Sequence, residues 1–158
     1  MNHQASHVEA LNDLIQINRD RVKGYERAIK DLQETYSPAT IEKFRMYKQD
    51  SERFVSELSQ QVRMFAGEPA TTSTIGGTIH RAWMDLKTSL SIHQKEAALE
   101  SCIFGDEAAI KAYESVLSNE DHPVPGTVAA VLNTQLASIR GAQNANKAHE
   151  KNLEMTNH

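Results

Sequence analysis

The chain has 158 residues, which is enough for one domain with a substantial hydrophobic core. Its formal net charge is −4 with acidic and basic residues interleaved, which argues against a basic face for nucleic acid. No apolar run approaches the ~18 residues that cross a bilayer, and the N-terminus lacks the basic start and apolar core of a signal peptide. One cysteine, Cys102, cannot form an internal disulfide. We therefore expect a cytoplasmic protein without nucleic-acid or membrane partners.

The first half of the chain predicts two long helices. Apolar residues recur at steps of four and three over 11–32, as on one face of a helix. Ser37 and Pro38 then supply an N-cap and a first-turn proline, and a second apolar seam covers 41–65. Gly67 is expected just after the C-cap of this second helix. The short connection predicts an antiparallel hairpin.

The second half predicts two more long helices, with seams over 92–117 and 128–153. Each of the four long helices should have about 25–30 residues. The link between the second and third is about 25 residues long, enough to carry the chain from one end of a bundle to the other. The sequence predicts an all-α fold, a ferritin-like up-down-down-up four-helix bundle. We expect a single domain over 1–158, with frayed ends at 1–7 and 155–158.

The long crossover contains GGTIHRAWMDLK at 76–87. An apolar stripe over 78–90 predicts a short amphipathic helix across the bundle, anchored by Trp83, with its polar residues facing water or polar side chains. The alternative is an anion held by the glycine amides, the helix N-terminus, His80 and Arg81. Because phosphate-loop spacing is absent, we favour a structural crossover motif, made of His80, Arg81, Trp83, Asp85 and Lys87.

Four sequence words carry a family resemblance: LNDLIQINRDRVKGYERAI, GEPAT, HRAWMDLK and GDEAAIKAYES. They resemble a bacterial ferritin-like four-helix-bundle family, domain of unknown function 2383. The resemblance covers about Val8 to His149 and is most specific in GEPAT at 67–71 followed by HRAWMDLK at 80–87. It implies the ferritin-like fold and carries no established reaction.

A di-metal centre is the chemistry to test, because ferritin-like bundles often hold two metal ions between Glu and Glu-x-x-His ligands. At the predicted bundle centre, the pairs with this spacing are Ser51/Phe54 on the second helix and Gln135/Ser138 on the fourth. Asp106 is the central carboxylate that remains. With Asn18, Ser51 and Gln135 it should form a buried polar layer that fixes the pairing of the helices.

A reduced metal site nearer one end of the bundle is the alternative. Imidazoles and carboxylates suit iron, manganese or zinc. The candidate ligands are Glu96, Asp106, His149, Glu26, Glu100 and His93. A hydrogen-bonded polar cluster explains the same residues without metal, and we expect no cofactor. The chain has no Gly-x-Ser-x-Gly, Cys-x-x-Cys or phosphate-loop motif, and acidic neighbours disfavour a reactive Cys102 thiolate.

The sequence thus favours a non-enzymatic bundle that self-associates, most simply as a homodimer, or binds another protein, with a stress response as one setting. Apolar residues off the main seams are candidate contacts: Phe104, Ile17 and Met46. The alternative function is an iron- or other metal-binding or metal-oxidising ferritin-like protein with a reduced ligand set. A third hypothesis is small-ligand binding beneath the crossover helix, near Trp83 and His80.

Overall fold

The computed structural model describes residues 3–93 and 98–156, with side chains over 3–86 and 98–151. The described chain forms α-helices and no β-strand, so the all-α prediction is confirmed. The helices are α1 (His3–Leu32), α2 (Pro38–Met64), α3 (Thr78–His93), α4 (Ala98–Leu117) and α5 (Gly126–Thr156). Within the described ranges, none of these helices is long and apolar enough to cross a membrane.

The ends of α2 show which residues set its length. Ser37 caps the start as predicted, since its hydroxyl oxygen accepts a hydrogen bond from the Thr40 amide at 3.3 Å. At the other end the residue with positive φ is Ala66, at 59°, so the prediction that Gly67 takes this position is wrong. The Gly67 amide instead donates to the Val62 carbonyl at 3.0 Å, which completes a Schellman motif. Glycine is required there for space, because a Cβ would lie 2.7 Å from Val8 Cγ2.

The long helices pack as antiparallel neighbours. Asn18 of α1 contacts Tyr113 of α4, whereas Tyr25, two turns later in α1, contacts Asp106, which precedes Tyr113. The same reversal holds for α1 against α2. It also holds for α4 against α5, because Tyr113 contacts Gln135, whereas Tyr25 contacts both the earlier Asp106 and the later Asn146. Two apolar clusters fill the interior, and a polar layer lies between them.

The crossover helix α3 packs on α1 and α4 and buries Trp83. Ile17 of α1 is fully buried in the same cluster as Trp83, so its prediction as an association contact is wrong. The predicted stripe of α3 holds only in part, because Ala82 and Leu86 are exposed. Since α3 continues to His93 and α4 has 20 residues, the expected length of the third long helix is also wrong. Hydrophobic period identifies a helix face and does not locate its end.

Candidate functional site

An ion pair lies at the centre of the bundle. Arg21 Nε of α1 donates to Asp106 Oδ1 of α4 at 2.7 Å, and the two side chains are 4% and 1% exposed. Arg21 Nη1 donates to the Ser51 hydroxyl of α2 at 2.7 Å. The Tyr25 hydroxyl donates to Asp106 Oδ2, also at 2.7 Å. Both carboxylate oxygens of Asp106 therefore accept hydrogen bonds from within the chain.

Hydrogen bonds extend from this ion pair across the bundle towards α5. The Ser51 hydroxyl donates to Asn18 Oδ1 at 2.9 Å, and Asn18 Nδ2 donates to the Tyr113 oxygen at 2.8 Å. The Tyr113 hydroxyl donates to Gln135 Oε1 at 2.7 Å, and Gln135 Nε2 donates to Glu57 at 2.9 Å. We call the following residues the central network: Asn18, Arg21, Tyr25, Ser51, Glu57, Asp106, Tyr113, Gln135 and Asn146.

A second branch of the central network also reaches α5. Asn146 Nδ2 donates to the Tyr25 oxygen at 2.8 Å. The Tyr25 hydroxyl thus receives a hydrogen bond from α5 while it donates to Asp106 of α4. Each long helix supplies at least one buried member, so the central network joins all four of them.

The structure places all four predicted members of the polar layer in the central network: Asn18, Ser51, Asp106 and Gln135. Sequence reasoning missed Arg21, which neutralises Asp106. A signal was present, because Asn18, Arg21 and Tyr25 recur at steps of three and four and so share one helix face.

Burial is the largest influence on the pKa values of Asp106, Arg21 and Tyr25 in the central network. It raises the pKa of Asp106, and the charge and hydrogen bond of Arg21 oppose that rise. Burial alone would lower the pKa of Arg21, but the adjacent carboxylate raises it on balance, so the guanidinium stays charged. Burial, followed by the charge of Asp106, raises the pKa of Tyr25 well above its ordinary value, which keeps its hydroxyl a donor. Asp106 thus lies against a charged guanidinium, and each of its two oxygens accepts a hydrogen bond.

The central network does not fit the di-metal centre that was considered from the sequence. A metal pair needs several carboxylates around a site free of other cations. Here the guanidinium of Arg21 lies against the central carboxylate, and both oxygens of Asp106 are already hydrogen-bonded. Apart from Glu57, which accepts a hydrogen bond from Gln135 Nε2, the other side chains of the layer carry amides and hydroxyls, which cannot replace the missing carboxylates.

The remaining metal candidates are dispersed. Glu26 is exposed and lies 3.5 Å from Lys48 Nζ, whereas Glu100 is half-buried on α4. His149 is half-buried with its ring 6.1 Å from that of Tyr36, and burial followed by the charge of Lys43 lowers its pKa. Among the residues with described side chains, no three His, Cys, Asp or Glu group together around one point. The side chains of His93 and Glu96 lie outside the described residues, so the end-of-bundle site stays a prediction.

The crossover motif is split between a buried and an exposed side. His80 stacks on Trp83, with ring centroids 6.1 Å apart and planes at 13°, and its Nε2 lies 3.7 Å from Asp20 Oδ2. Arg81 and Asp85 are exposed. The side chain of Lys87 lies outside the described residues.

The glycine pair of the crossover contacts a carboxylate of the chain itself. Asp13 Oδ1 of α1 accepts a hydrogen bond from the Gly77 amide at 2.7 Å. A Cβ at Gly77 would lie 2.8 Å from Asp13 Oδ2, so glycine permits this close approach. Burial raises the pKa of Asp13, and the Gly77 hydrogen bond opposes it. The Gly77 amide, one of the donors in the alternative anion-binding hypothesis, is thus already bonded to Asp13.

One face of α1 also holds the GEPAT loop. Asn12 Oδ1 accepts from the Ala70 amide at 2.7 Å, and Asn12 Nδ2 donates to the Glu68 carbonyl at 3.0 Å. Gln16 donates to the Thr74 carbonyl at 2.7 Å, and Arg19 donates to the Ala70 carbonyl. The segment LNDLIQINRDRVKGYERAI of α1 therefore contacts the GEPAT segment of the crossover, and both of these segments carry the family resemblance.

Comparison with known proteins identifies the family and no nearer relative. Neither curated proteins nor solved structures gave a match. A family model described as a domain of unknown function, DUF2383, matches residues 6–119, which is more than half of the 158 residues. The match runs from the first turns of α1 to the end of α4, and thus includes both sides of the contact between α1 and the GEPAT loop. The chain belongs to the family called domain of unknown function 2383.

Proposed function

We propose that the protein is a non-enzymatic ferritin-like bundle that acts by self-association or by binding another protein. The observation that carries this proposal is the Arg21–Asp106 ion pair at the bundle centre. The up-down-down-up topology is supported by the antiparallel contacts of α1 with α2, of α1 with α4 and of α4 with α5.

The central network acts in helix pairing. A buried charge that loses its partner is strongly destabilising, so any arrangement that separates Arg21 from Asp106 is disfavoured. Amide and hydroxyl groups of the other helices must also meet within hydrogen-bonding distance. The layer therefore selects one register, as polar residues do in helical bundles.

We propose a homodimer in which the outer face of α2 contacts a second copy. Met46 and Met64 are 53% and 73% exposed, which is high for large apolar side chains. They are five helical turns apart, so they lie on one line along α2. Phe104, another predicted contact, is half-buried.

Light scattering during size-exclusion chromatography, over a range of protein concentrations, tests this proposal. We expect the wild type to be a dimer. The double variant with Met46→Lys and Met64→Lys should be a monomer with unchanged helical circular dichroism. Met84→Lys is the matched control, because Met84 is an exposed methionine on α3. A monomer at every concentration, with no protein co-purifying, would remove the proposed function.

Elemental analysis of untagged protein, purified without chelator, decides between this proposal and the metal alternative. Stoichiometric iron, manganese or zinc that is lost in His149→Ala would favour the reduced metal site. Metal far below stoichiometry after incubation with ferrous iron would favour the non-enzymatic bundle. The cytoplasm is the compartment we propose, because Cys102 is a buried free thiol.

A further inference from the structure

Two histidines that are 119 residues apart in the sequence meet at one end of the bundle. His3 lies in the first turn of α1, and His122 lies in the connection between α4 and α5. Their Nδ1 atoms are 3.1 Å apart, and their ring centroids are 5.0 Å apart with the planes at 72°. Neither residue belongs to the central network.

The distance between these two nitrogens fits two ligands of one metal ion. Zinc binds imidazole nitrogens at about 2.0–2.1 Å in tetrahedral geometry, so two ligand nitrogens lie about 3.3 Å apart and their ring centroids about 5 Å apart. The pair of His3 and His122 agrees with both values. A hydrogen bond between two imidazoles gives a similar distance, so the case for a metal ion depends on what lies beside the pair.

His7 is a third imidazole beside this pair. It follows His3 by four residues, the spacing that places two histidines on one helix face to share a zinc ion. The His7 ring stacks on that of His3, with centroids 6.2 Å apart, and the residue is 5% exposed. Both of its ring nitrogens are buried without a hydrogen-bond partner among the described residues. Unpaired buried nitrogens are costly, and a bond to a metal ion would relieve that cost for one of them.

His7 has to move slightly to reach an ion held by the other two histidines. Its ring centroid lies about 1 Å farther from that of His3 than two ligands of one ion require. The described structure thus brings two imidazoles to one point and holds the third beside them. A small change in the side-chain torsions of His7 closes this difference.

The connection that carries His122 favours a cation. Glu120 and Asp121 directly precede His122 and are exposed, so they add negative charge next to the histidines. Asn119 Oδ1 accepts hydrogen bonds from the Asp121 and His122 amides at 2.9 and 3.0 Å. These two bonds fix the turn from which the His122 side chain projects.

We propose that His3, His7 and His122 bind one zinc ion. Imidazole suits zinc and the neighbouring transition metals, whereas magnesium prefers oxygen ligands. The ion joins the first turn of α1 to the connection between α4 and α5, and so acts as a structural staple. His3 and His122 both lie outside residues 6–119, which the family model matches.

This inference goes beyond the proposed function and does not depend on it, because one chain supplies all three ligands. The site is also separate from the metal site considered around His149. The ring of His149 contacts that of Tyr36, in the connection between α1 and α2 at the opposite end of the bundle.

Isothermal titration of the untagged full-length protein, first treated with chelator, tests the proposal with zinc chloride. We expect one equivalent of zinc to bind and magnesium chloride to give no binding. Because the three ligands meet only in the folded chain, zinc at a hundredfold excess over the dissociation constant should raise the thermal midpoint by about 5–10 °C. A protein that binds no zinc would overturn the proposal.

His122→Ala tests the ligand from the connection between α4 and α5. It should weaken zinc binding by at least about tenfold and remove the thermal stabilisation. His149→Ala is the matched control, because His149 is also half-buried and lies at the other end of the bundle. It should bind zinc as the wild type does. Zinc that is lost in His149→Ala and kept in His122→Ala would refute the site.

His7→Leu tests the third ligand. Leucine keeps an apolar side chain beside Phe65, whose ring centroid is 5.2 Å from that of His7, and removes the two unpaired nitrogens. The variant should therefore keep its helical circular dichroism and lose zinc affinity by at least about tenfold. His3→Ala, at an exposed position, should cause a similar loss without changing the interior. Wild-type zinc affinity in either variant would refute the three-histidine site.

Discussion

Arg21 and Asp106 are 85 residues apart in the sequence, yet Arg21 Nε lies 2.7 Å from Asp106 Oδ1 with both side chains buried. Neither charge has water to solvate it if the other is removed. The pair therefore ties α1 to α4 more strictly than apolar contacts alone could.

A double-mutant cycle measures this dependence. Arg21→Met or Asp106→Leu alone should lower the free energy of unfolding by about 3–5 kcal/mol, because each leaves a buried charge unpaired. The double variant should recover most of that loss, since it leaves neither charge. Urea unfolding followed by circular dichroism gives the four values. Losses that simply add in the double variant would contradict the coupling.

Tyr113 is the second test of the central network. Tyr113→Phe removes the donor to Gln135 and an acceptor of Asn18, and should lower the free energy of unfolding by about 1–3 kcal/mol. Tyr36→Phe is the control, because the Tyr36 hydroxyl has no hydrogen-bond partner among the described residues. It should leave stability within about 0.5 kcal/mol. Equal effects of the two substitutions would argue against the network.

The C-terminus of α2 offers a stabilising substitution. Ala66 has a φ of 59°, a conformation that an L-residue other than glycine adopts at a cost of about 1–2 kcal/mol. Ala66→Gly should therefore raise the free energy of unfolding by about 1 kcal/mol in urea titration. Gly67→Ala should lower it, because the new Cβ would contact Val8. The opposite order of stability would contradict both the backbone strain at Ala66 and the close contact at Gly67.

Cys102 should be an inert thiol in the folded protein. Burial, followed by the charge of Asp106, raises the pKa of Cys102 to about 12. At a pH of about 8, only about one thiol in ten thousand would be a thiolate, the form that reacts. Ellman's reagent should therefore label Cys102 slowly until urea unfolds the chain. Rapid labelling without urea would show that Cys102 is neither buried nor protonated.

His149 should make stability depend on pH. Burial followed by the charge of Lys43 lowers its pKa in the folded state below the ordinary 6.5. The imidazole of His149 therefore binds a proton more readily in the unfolded chain than in the folded one. The stability that the neutral imidazole contributes is lost as the pH falls from the ordinary pKa of 6.5 through the lower pKa of the folded state. Thermal unfolding should show that His149→Gln loses less stability on acidification than the wild type does. Lys43→Met should weaken the same dependence, and parallel pH profiles in all three proteins would refute it.

The sequence predicted the helices far better than the central network. Ser37 and the apolar seams are local signals, and the all-α fold and the cap of α2 followed from them. Ile17 lies off the main seam, and it is buried in one cluster with Trp83 of α3, a helix that returns to α1 more than 60 residues later. Arg21 carries a charge that alone favours the surface. Its spacing from Asn18 and Tyr25 indicates its helix face. Only the distant Asp106 makes its burial possible, so that spacing alone could not reveal the pair.

Two members of the central network, Gln135 and Asn146, lie on the last helix, beyond the residues that the family model matches. On the ribosome, Tyr113 and Tyr25 are synthesised before the α5 side chains that complete their hydrogen bonds. The bond between Tyr25 and Asn146 closes a loop of 121 residues. The first four helices can therefore collapse while the interior still contains unpaired polar groups. The native register should form only once α5 has left the exit tunnel.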